Sequence, residues 1–298
     1  MKNRWLLNLV MLALVAGLVA FLYLRPQANN DALTQYEVTT LKLADFNTIK
    51  VEFPTQAATT FEKVDGLWRM TAPYKTRADQ ISVQRILSII AAKTKDKFAA
   101  GDQEKFGLTN PQLRLKLGSA TGTEEFIFGT YNTVTDEQYV AYKDGVYLLP
   151  SNYSAAATTQ PIELIDKTPL AQAEAKHISG FDYAHLEQWE EIGLQVDIVD
   201  GKWKTNATKA KITQNELNEW LDYSWKQAQA KQVELYTPDR KITYPSFKIK
   251  LKDGSKVHFD KIQESPDLLL GRPDEGLMYH FANDVGFNML NPPLNFPN

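Results

Sequence analysis

Two stretches of this chain are each written twice, in the same order and at nearly the same interval. Val64-Asp65-Gly66-Leu67-Trp68-Arg69 recurs as Val199-Asp200-Gly201-Lys202-Trp203-Lys204. Thr109-Asn110-Pro111-Gln112-Leu113-Arg114-Leu115-Lys116-Leu117 recurs as Thr243-Tyr244-Pro245-Ser246-Phe247-Lys248-Ile249-Lys250-Leu251. The interval is about 135 residues, far longer than the roughly 20–50 residues of solenoid repeats, and it points to a duplicated domain. A chain under this constraint folds as one unit built twice, and segments outside the repeats serve as anchor, connector or tail.

Each unit reads as alternating strands, one helix, then more alternating strands. In the first, Asn47–Phe53 and Thr60–Val64 alternate in the strand manner, and Asp65-Gly66 is a tight-hairpin signal before Trp68. Asp79 is an N-cap for a helix whose apolar face is Val83, Ile86, Leu87 and Ile90. After Pro111 come strands at Leu113–Leu117, Phe126–Phe128, Tyr139–Tyr142 and Val146–Leu149, with Asp144-Gly145 turning the last pair. In the second unit Asp200-Gly201 makes the hairpin turn and Thr213-Gln214-Asn215-Glu216 reads as a capping box. Leu217, Trp220 and Leu221 then take the places of Val83, Ile86 and Leu87, and Asp253-Gly254 turns Phe247–Leu251 into Val257–Phe259. Short strands, two-residue turns and one main helix per copy predict an α+β fold of two similar tandem units, each an antiparallel sheet with a helix on one face. Trp68 and Trp203 are expected to anchor the two cores.

Ahead of the repeats, Trp5–Leu24 is an almost unbroken apolar run of twenty residues, twelve of them Leu, Val or Phe. As a helix rising about 1.5 Å per residue it spans roughly 30 Å, the hydrocarbon thickness of a bilayer. Lys2 and Arg4 precede it and Arg25 alone follows closely, so the positive-inside bias keeps the N-terminus in the cytoplasm and exports the rest. A cleaved signal peptide is the competing reading, with Val15-Ala16-Gly17 as the small-residue site. The apolar run continues through Leu18–Leu24, which favours a retained anchor.

The expected layout is therefore a cytoplasmic tip and transmembrane helix over 1–26, a juxtamembrane linker over 27–40 and a first unit over 41–166. A connector over 167–176, a second, divergent unit over 177–290 and an extended, proline-rich tail over 291–298 complete it. All 36 acidic residues lie beyond the apolar run, which leaves the exported part net acidic and predicts no nucleic-acid partner. The chain has no cysteine, so disulfides, lipoprotein anchoring and cysteine-based metal or redox chemistry are excluded.

Leu67-Trp68-Arg69-Met70-Thr71-Ala72-Pro73, then Ala78-Asp79 opening a helix, then Phe106-Gly107-Leu108-Thr109-Asn110-Pro111 resemble the bacterial domain of unknown function 4340. Phe128-Gly129, Tyr139-Val140 and Val146-Tyr147-Leu148 are similar to the later strands of that family. The second copy departs from the pattern: Ala207-Thr208 stands where the proline would be, and Lys241-Ile242 replaces the Gly-Leu before Thr243. The resemblance implies tandem units behind an N-terminal hydrophobic segment in a bacterial envelope protein, sometimes encoded beside ABC-transporter components. It implies no established activity and no catalytic residues.

The residues themselves assign no catalytic, cofactor-binding or metal-ligating position. His177, His185, His258 and His280 are scattered singly, without the i, i+2 or i, i+4 spacing of a metal pair. A Gly-x-Ser-x-Gly elbow is absent, and Gly101, Gly107 and Gly118 are too far apart for a phosphate-cradling loop. Glu124-Glu125 and Glu190-Glu191 are adjacent pairs that point to opposite faces if they lie in strands. Aromatics are the one excess: Tyr131, Tyr139, Tyr142, Tyr147 and Tyr153 late in the first copy, Trp189, Trp220 and Trp225 in the second.

The expected function is a non-enzymatic one, an anchored periplasmic scaffold or accessory subunit of an envelope or export assembly, held in the inner membrane by Trp5–Leu24. The alternative is a glycan- or peptide-binding module that uses those tyrosines in a cleft between the two units. An alkaline phosphatase fused after Asn298 is expected to be active; an inactive fusion beside a fluorescent cytoplasmic reporter at the same position would refute the topology.

Overall fold

The computed structural model describes residues 35–297. The expected anchor at Trp5–Leu24 lies outside the described residues, and among those described no helix is long and apolar enough to cross a membrane.

In chain order the first half holds β1 (Tyr36–Glu37), β2 (Phe46–Glu52), β3 (Thr59–Val64), β4 (Leu67–Ala72), β5 (Thr76–Arg77) and α1 (Gln80–Leu87). It continues with β6 (Lys93–Thr94), β7 (Lys97–Ala99), β8 (Leu113–Ser119), β9 (Gly122–Asn132), β10 (Glu137–Tyr142), β11 (Gly145–Pro150) and α2 (Asn152–Thr158). The second half holds α3 (Gln172–Lys176), β12 (Ile178–His185), β13 (Gln195–Val199), β14 (Lys202–Thr205), β15 (Lys211–Ile212) and α4 (Gln214–Leu221). It ends with β16 (Gln232–Leu235), β17 (Ser246–Leu251), β18 (Lys256–Gln263), β19 (Asp267–Arg272), β20 (Leu277–Ala282), α5 (Asn283–Leu290) and β21 (Leu294–Asn295).

Two large antiparallel sheets result, so the fold is mixed α+β. The first runs β5-β4-β3-β2-β8-β9-β10-β11-β7 and the second β14-β13-β12-β17-β18-β19-β20-β16. Put β14, β13, β12, β17, β18, β19, β20 and β16 in the places of β4, β3, β2, β8, β9, β10, β11 and β7, and the second order becomes the first without its edge strand β5. Two register shifts correspond as well, while one between β3 and β4 and a second between β12 and β17 have no counterpart. A register shift falls at the start of β2 against β8 and at the start of β12 against β17; another falls between β9 and β10 and between β18 and β19.

The local reasons are those legible in the residues. Leu113, Leu115 and Leu117 are buried and alternate with Arg114 and Lys116; Phe247, Ile249 and Leu251 do the same against Lys248 and Lys250. Asp65 and Gly66 take left-handed φ values of 52° and 81°, and Asp200 and Gly201 take 54° and 74°, the pair of positive angles a two-residue hairpin needs. One turn shifts by a residue: Gly145 pairs with Tyr142 inside the ladder, and the left-handed position is Lys143.

Helix α1 starts as expected, with the Asp79 carboxylate accepting the Ser82 N–H at 2.7 Å, and it buries Val83, Ile86 and Leu87. Helix α4 buries Leu217, Trp220 and Leu221, but the expected capping box does not form, because the Thr213 side chain makes no cap hydrogen bond. A different device fixes this helix. Gln214 accepts the Trp203 N–H at 2.7 Å and donates to the Trp203 carbonyl at 3.0 Å, binding the helix start to β14. Gln80 does the same to Trp68 on β4, at 2.9 Å in both directions.

Each sheet also carries a second helix beyond the one expected, α2 after β11 and α5 after β20. The small, polar segment Ser154–Thr159 is thus largely helical. The tail is extended as expected, and β21 in it pairs with β15. The two expected cores are joined, since the buried apolar side chains of both sheets form one continuous cluster that includes both Trp68 and Trp203.

Trp68 and Trp203 are 5% and 3% exposed, and each lies under its helix. Trp68→Ala is expected to lower the unfolding free energy by about 3–5 kcal/mol, read as a fall in the urea midpoint; an unchanged midpoint would contradict the core assignment.

Candidate functional site

Where the two sheets meet, the chain buries two arginines. Arg77 ends β5, and its guanidinium reaches the connector and the second sheet at once. Nε donates to Glu275 Oε1 at 2.9 Å and Nη2 to Glu275 Oε2 at 3.2 Å, a forked pair on one carboxylate. Nη1 pairs with Asp166 and donates to Thr168 Oγ1 at 3.0 Å, while Nη2 also donates to the Thr168 carbonyl at 2.7 Å and to Tyr279 Oη at 3.0 Å. Arg272, at the end of β19, grips the same connector, and its Nη1 stands 3.6 Å from Glu275 Oε1, which Arg77 also binds. Its Nη1 donates to the Pro169 carbonyl and to Glu174 Oε2, both at 2.9 Å, and its Nε and Nη2 reach Asp274 at 3.1 and 3.0 Å.

Burial alone would drive these guanidiniums toward the neutral form. The hydrogen bonds and charge of Glu275 at Arg77, and of Glu174 and Asp274 at Arg272, outweigh it and hold both pKa values above the ordinary arginine range. Burial, and then the Glu275 charge, pushes the Tyr279 phenol up, so it stays protonated and donates to Glu275 Oε2 at 2.7 Å. The donors of Arg77 are taken up by protein acceptors, so this junction holds the two sheets and the connector together and does not offer a guanidinium to a ligand.

Two surface concavities are better placed to receive one. A groove of about 490 Å³ opens at one end of the first sheet, between the loop after β2 and the turn before β8. Phe53, Pro54, Pro111 and Leu113 give it an apolar lining, with Glu52 and Arg114 charged at the rim. Hydrogen bonds from Lys116 and Lys50 hold the Glu52 carboxyl below the usual range, and Arg114 pairs with Glu125 at 3.3 Å. The rim charges are thus already matched within the sheet. A smaller groove of about 300 Å³ lies beside α4 and is lined by Glu216, Glu219, Trp220, Tyr223 and Asn288, among others.

The structure spreads the four histidines apart. His177 and His185 are exposed; the ring Nδ1 of His177 lies 2.8 Å from the Ala173 carbonyl. On β18, His258 Nε2 stands 2.8 Å from Asp260 Oδ1, and Tyr236 donates to the other oxygen of Asp260 at 2.8 Å. His280 faces Glu234 at 3.6 Å. Among the described residues no group of three or more His, Asp or Glu side chains is arranged to hold a metal ion. The carboxylate pairs separate too: Glu124 accepts from Tyr142 and Glu125 pairs with Arg114, while Glu190 and Glu191 occupy an exposed turn rather than a strand.

The aromatic excess goes into packing. Tyr142 is buried and stacks on Phe126 at 4.6 Å, Tyr147 is buried, and Tyr139 packs on Phe106 at 4.9 Å in a small second cluster. Tyr131 is held by Asp136 at 2.7 Å, and Tyr153 packs against the main core. Trp189 and Trp220 donate to the Leu290 and Asn288 carbonyls, and Trp225 is buried. Tyr142 and Tyr147 are therefore unavailable as walls of a groove between the halves.

Residues 68–246 match the family described as Domain of unknown function (DUF4340), which is more than half of the chain. The chain belongs to that family. The DUF4340 match begins within β4 and ends at the start of β17, so it runs through both sheets and takes in Arg77 and the whole connector. No characterised protein and no solved structure matches the chain.

Sequence reasoning did not find the junction, because Arg77 stands 89 and 198 positions from Asp166 and Glu275 and nothing local marks it. Arg77→Met is expected to cost about 1–3 kcal/mol, since it leaves the partly buried Asp166 and Glu275 carboxylates without their guanidinium. Limited proteolysis is the check: cleavage between Asp166 and Lys176 should appear in the variant and not in the parent protein.

Proposed function

We propose that this DUF4340 chain is a membrane-anchored periplasmic scaffold or accessory subunit of an envelope or export assembly, of the ABC-transporter-associated kind. The observation that carries the reading is the arginine junction. It ties two sheets and the segment between them into a body whose outer faces keep a fixed spacing, and a subunit that holds other components needs that rigidity. The apolar run Trp5–Leu24, flanked by Lys2 and Arg4, supplies the tether and its orientation.

The two halves are, on this reading, tandem copies of one unit. Support comes from the matching strand orders, the corresponding register shifts and the paired glutamine clamps on Trp68 and Trp203. A copied unit needs its inner face preserved, while its outer face is free to change, so two copies present two different surfaces to partners.

Mild crosslinking of native membranes followed by affinity purification of the full chain tests the proposal. Reproducible recovery of integral-membrane or transporter components is expected. Recovery of the protein alone would overturn the scaffold reading.

A further inference from the structure

The groove beside α4 differs from its counterpart in the first half. There, α1 runs on into a tight turn over Ser88–Ala91 that buries Ile89 and Ile90, as α1 itself buries Ile86. In the second half α4 runs instead into a π turn over Asp222–Lys226. The wider turn rotates the residues within it, and Tyr223 swings outward to 69% exposure. Phe287 on α5, next to the groove-lining Asn288, is 60% exposed.

Glu216, Glu219 and the largely buried Trp220 stand at i, i+3 and i+4 of α4, Tyr223 follows in the π turn, and all four line the groove with Ser224, Asn288, Asn291 and Pro293. No lysine or arginine is among those lining residues. Neither Glu216 nor Glu219 forms an ion pair among the described residues; Asp222 alone is matched, by Lys226 at 2.7 Å. Asp284, in the first turn of α5, adds a further negative charge to this side. The result is an acidic rim beside the exposed ring of Tyr223, with the largely buried Trp220 beneath, a combination that takes a cation by charge and by ring face together.

We propose that this groove docks a lysine- or arginine-bearing segment of a partner protein, with the cation between Glu216 and Glu219 and its aliphatic stem on Trp220 and Tyr223. Charge complementarity chooses this occupant: an acidic, amide-lined groove with an exposed tyrosine ring disfavours an acidic peptide or an anionic lipid surface and favours a long cationic side chain. The inference rests on the scaffold reading and names the surface that reading leaves open.

The test is a photo-crosslinking phenylalanine analogue at position 223 of the full chain, irradiated in native membranes, with the same analogue at the exposed Val134 as control. The expected result is an adduct, specific to position 223, whose crosslinked peptide carries Lys or Arg beside an apolar residue. The double variant Glu216→Gln, Glu219→Gln should lower that adduct at least fivefold, with the circular dichroism spectrum and membrane retention of the protein unchanged. An adduct to lipid, to a second copy of this chain or to an acidic segment would overturn the proposal, as would one indifferent to the double variant or no adduct above the control. If affinity purification still recovers membrane partners in those cases, the groove assignment fails and the scaffold reading stands; if it recovers none, both fail.

Discussion

The buried guanidinium of Arg77 is the interaction on which the arrangement of the two sheets depends. A charge this deep survives only when its donors are met, and here they are met by two segments remote in sequence. Asp166 and Thr168 come from the connector, and Glu275 and Tyr279 from the far end of the second sheet. Arg272 repeats the logic through Pro169 and Glu174. The connector read from sequence over 167–176 is therefore held by two arginines. Apolar contact alone would hold the sheets together but would let them slide. A planar fork on a fixed carboxylate has one geometry, so the ionic junction adds register to adhesion.

A second constraint concerns edges. β14 is the outermost strand of its sheet and β4 is covered only by the two residues of β5, so Trp203 and Trp68 would present open backbone groups to other chains. Gln214 and Gln80 occupy those groups with a side-chain amide that mimics one more residue of strand. The same bonds pin the first turn of each helix to its sheet. One residue type, set just inside the helix start, thus closes an edge and sets where the helix begins.

Much of this was legible in the chain and some was not, for identifiable reasons. The alternation of Leu113, Leu115 and Leu117, the Asp-Gly turns at 65–66 and 200–201, the Asp79 cap and the burial of Trp68 and Trp203 follow local signals, and the structure obeys them. Thr213 makes no capping box, and Gln214 ties the helix start to β14 whether or not a cap forms, as Gln80 does beside the Asp79 cap. Helix α5 escaped because Gly286 weakens its pattern; that glycine is there because a Cβ would collide with Leu268 on β19. The junction was invisible because its partners are paired by tertiary structure alone. The glutamine clamps, by contrast, could have been found by extending the repeat: Gln80 comes after Trp68 by 12 positions and Gln214 after Trp203 by 11.

The two sheets, alike in strand order apart from β5, differ in what covers their outward faces. Inward-facing positions keep their character, since both sheets bury that face in one apolar cluster. Outward, the first sheet covers Ile127, Tyr139 and Ala141 with Phe106 and Leu108 from its long loop, an apolar closure. At the matching place in the second sheet, Tyr236 lies against Gly271 and bonds Asp260, which in turn holds His258, a polar closure on the same strands. The helices diverge in the same direction, from the aliphatic seal of Ile86, Ile89 and Ile90 to the open acidic groove at Tyr223. Packing fixes the side of each sheet that faces the other elements, so chemical difference between the halves accumulates on the side that faces away. Surfaces that distinguish the second half from the first are accordingly where recognition by a partner has room to be built.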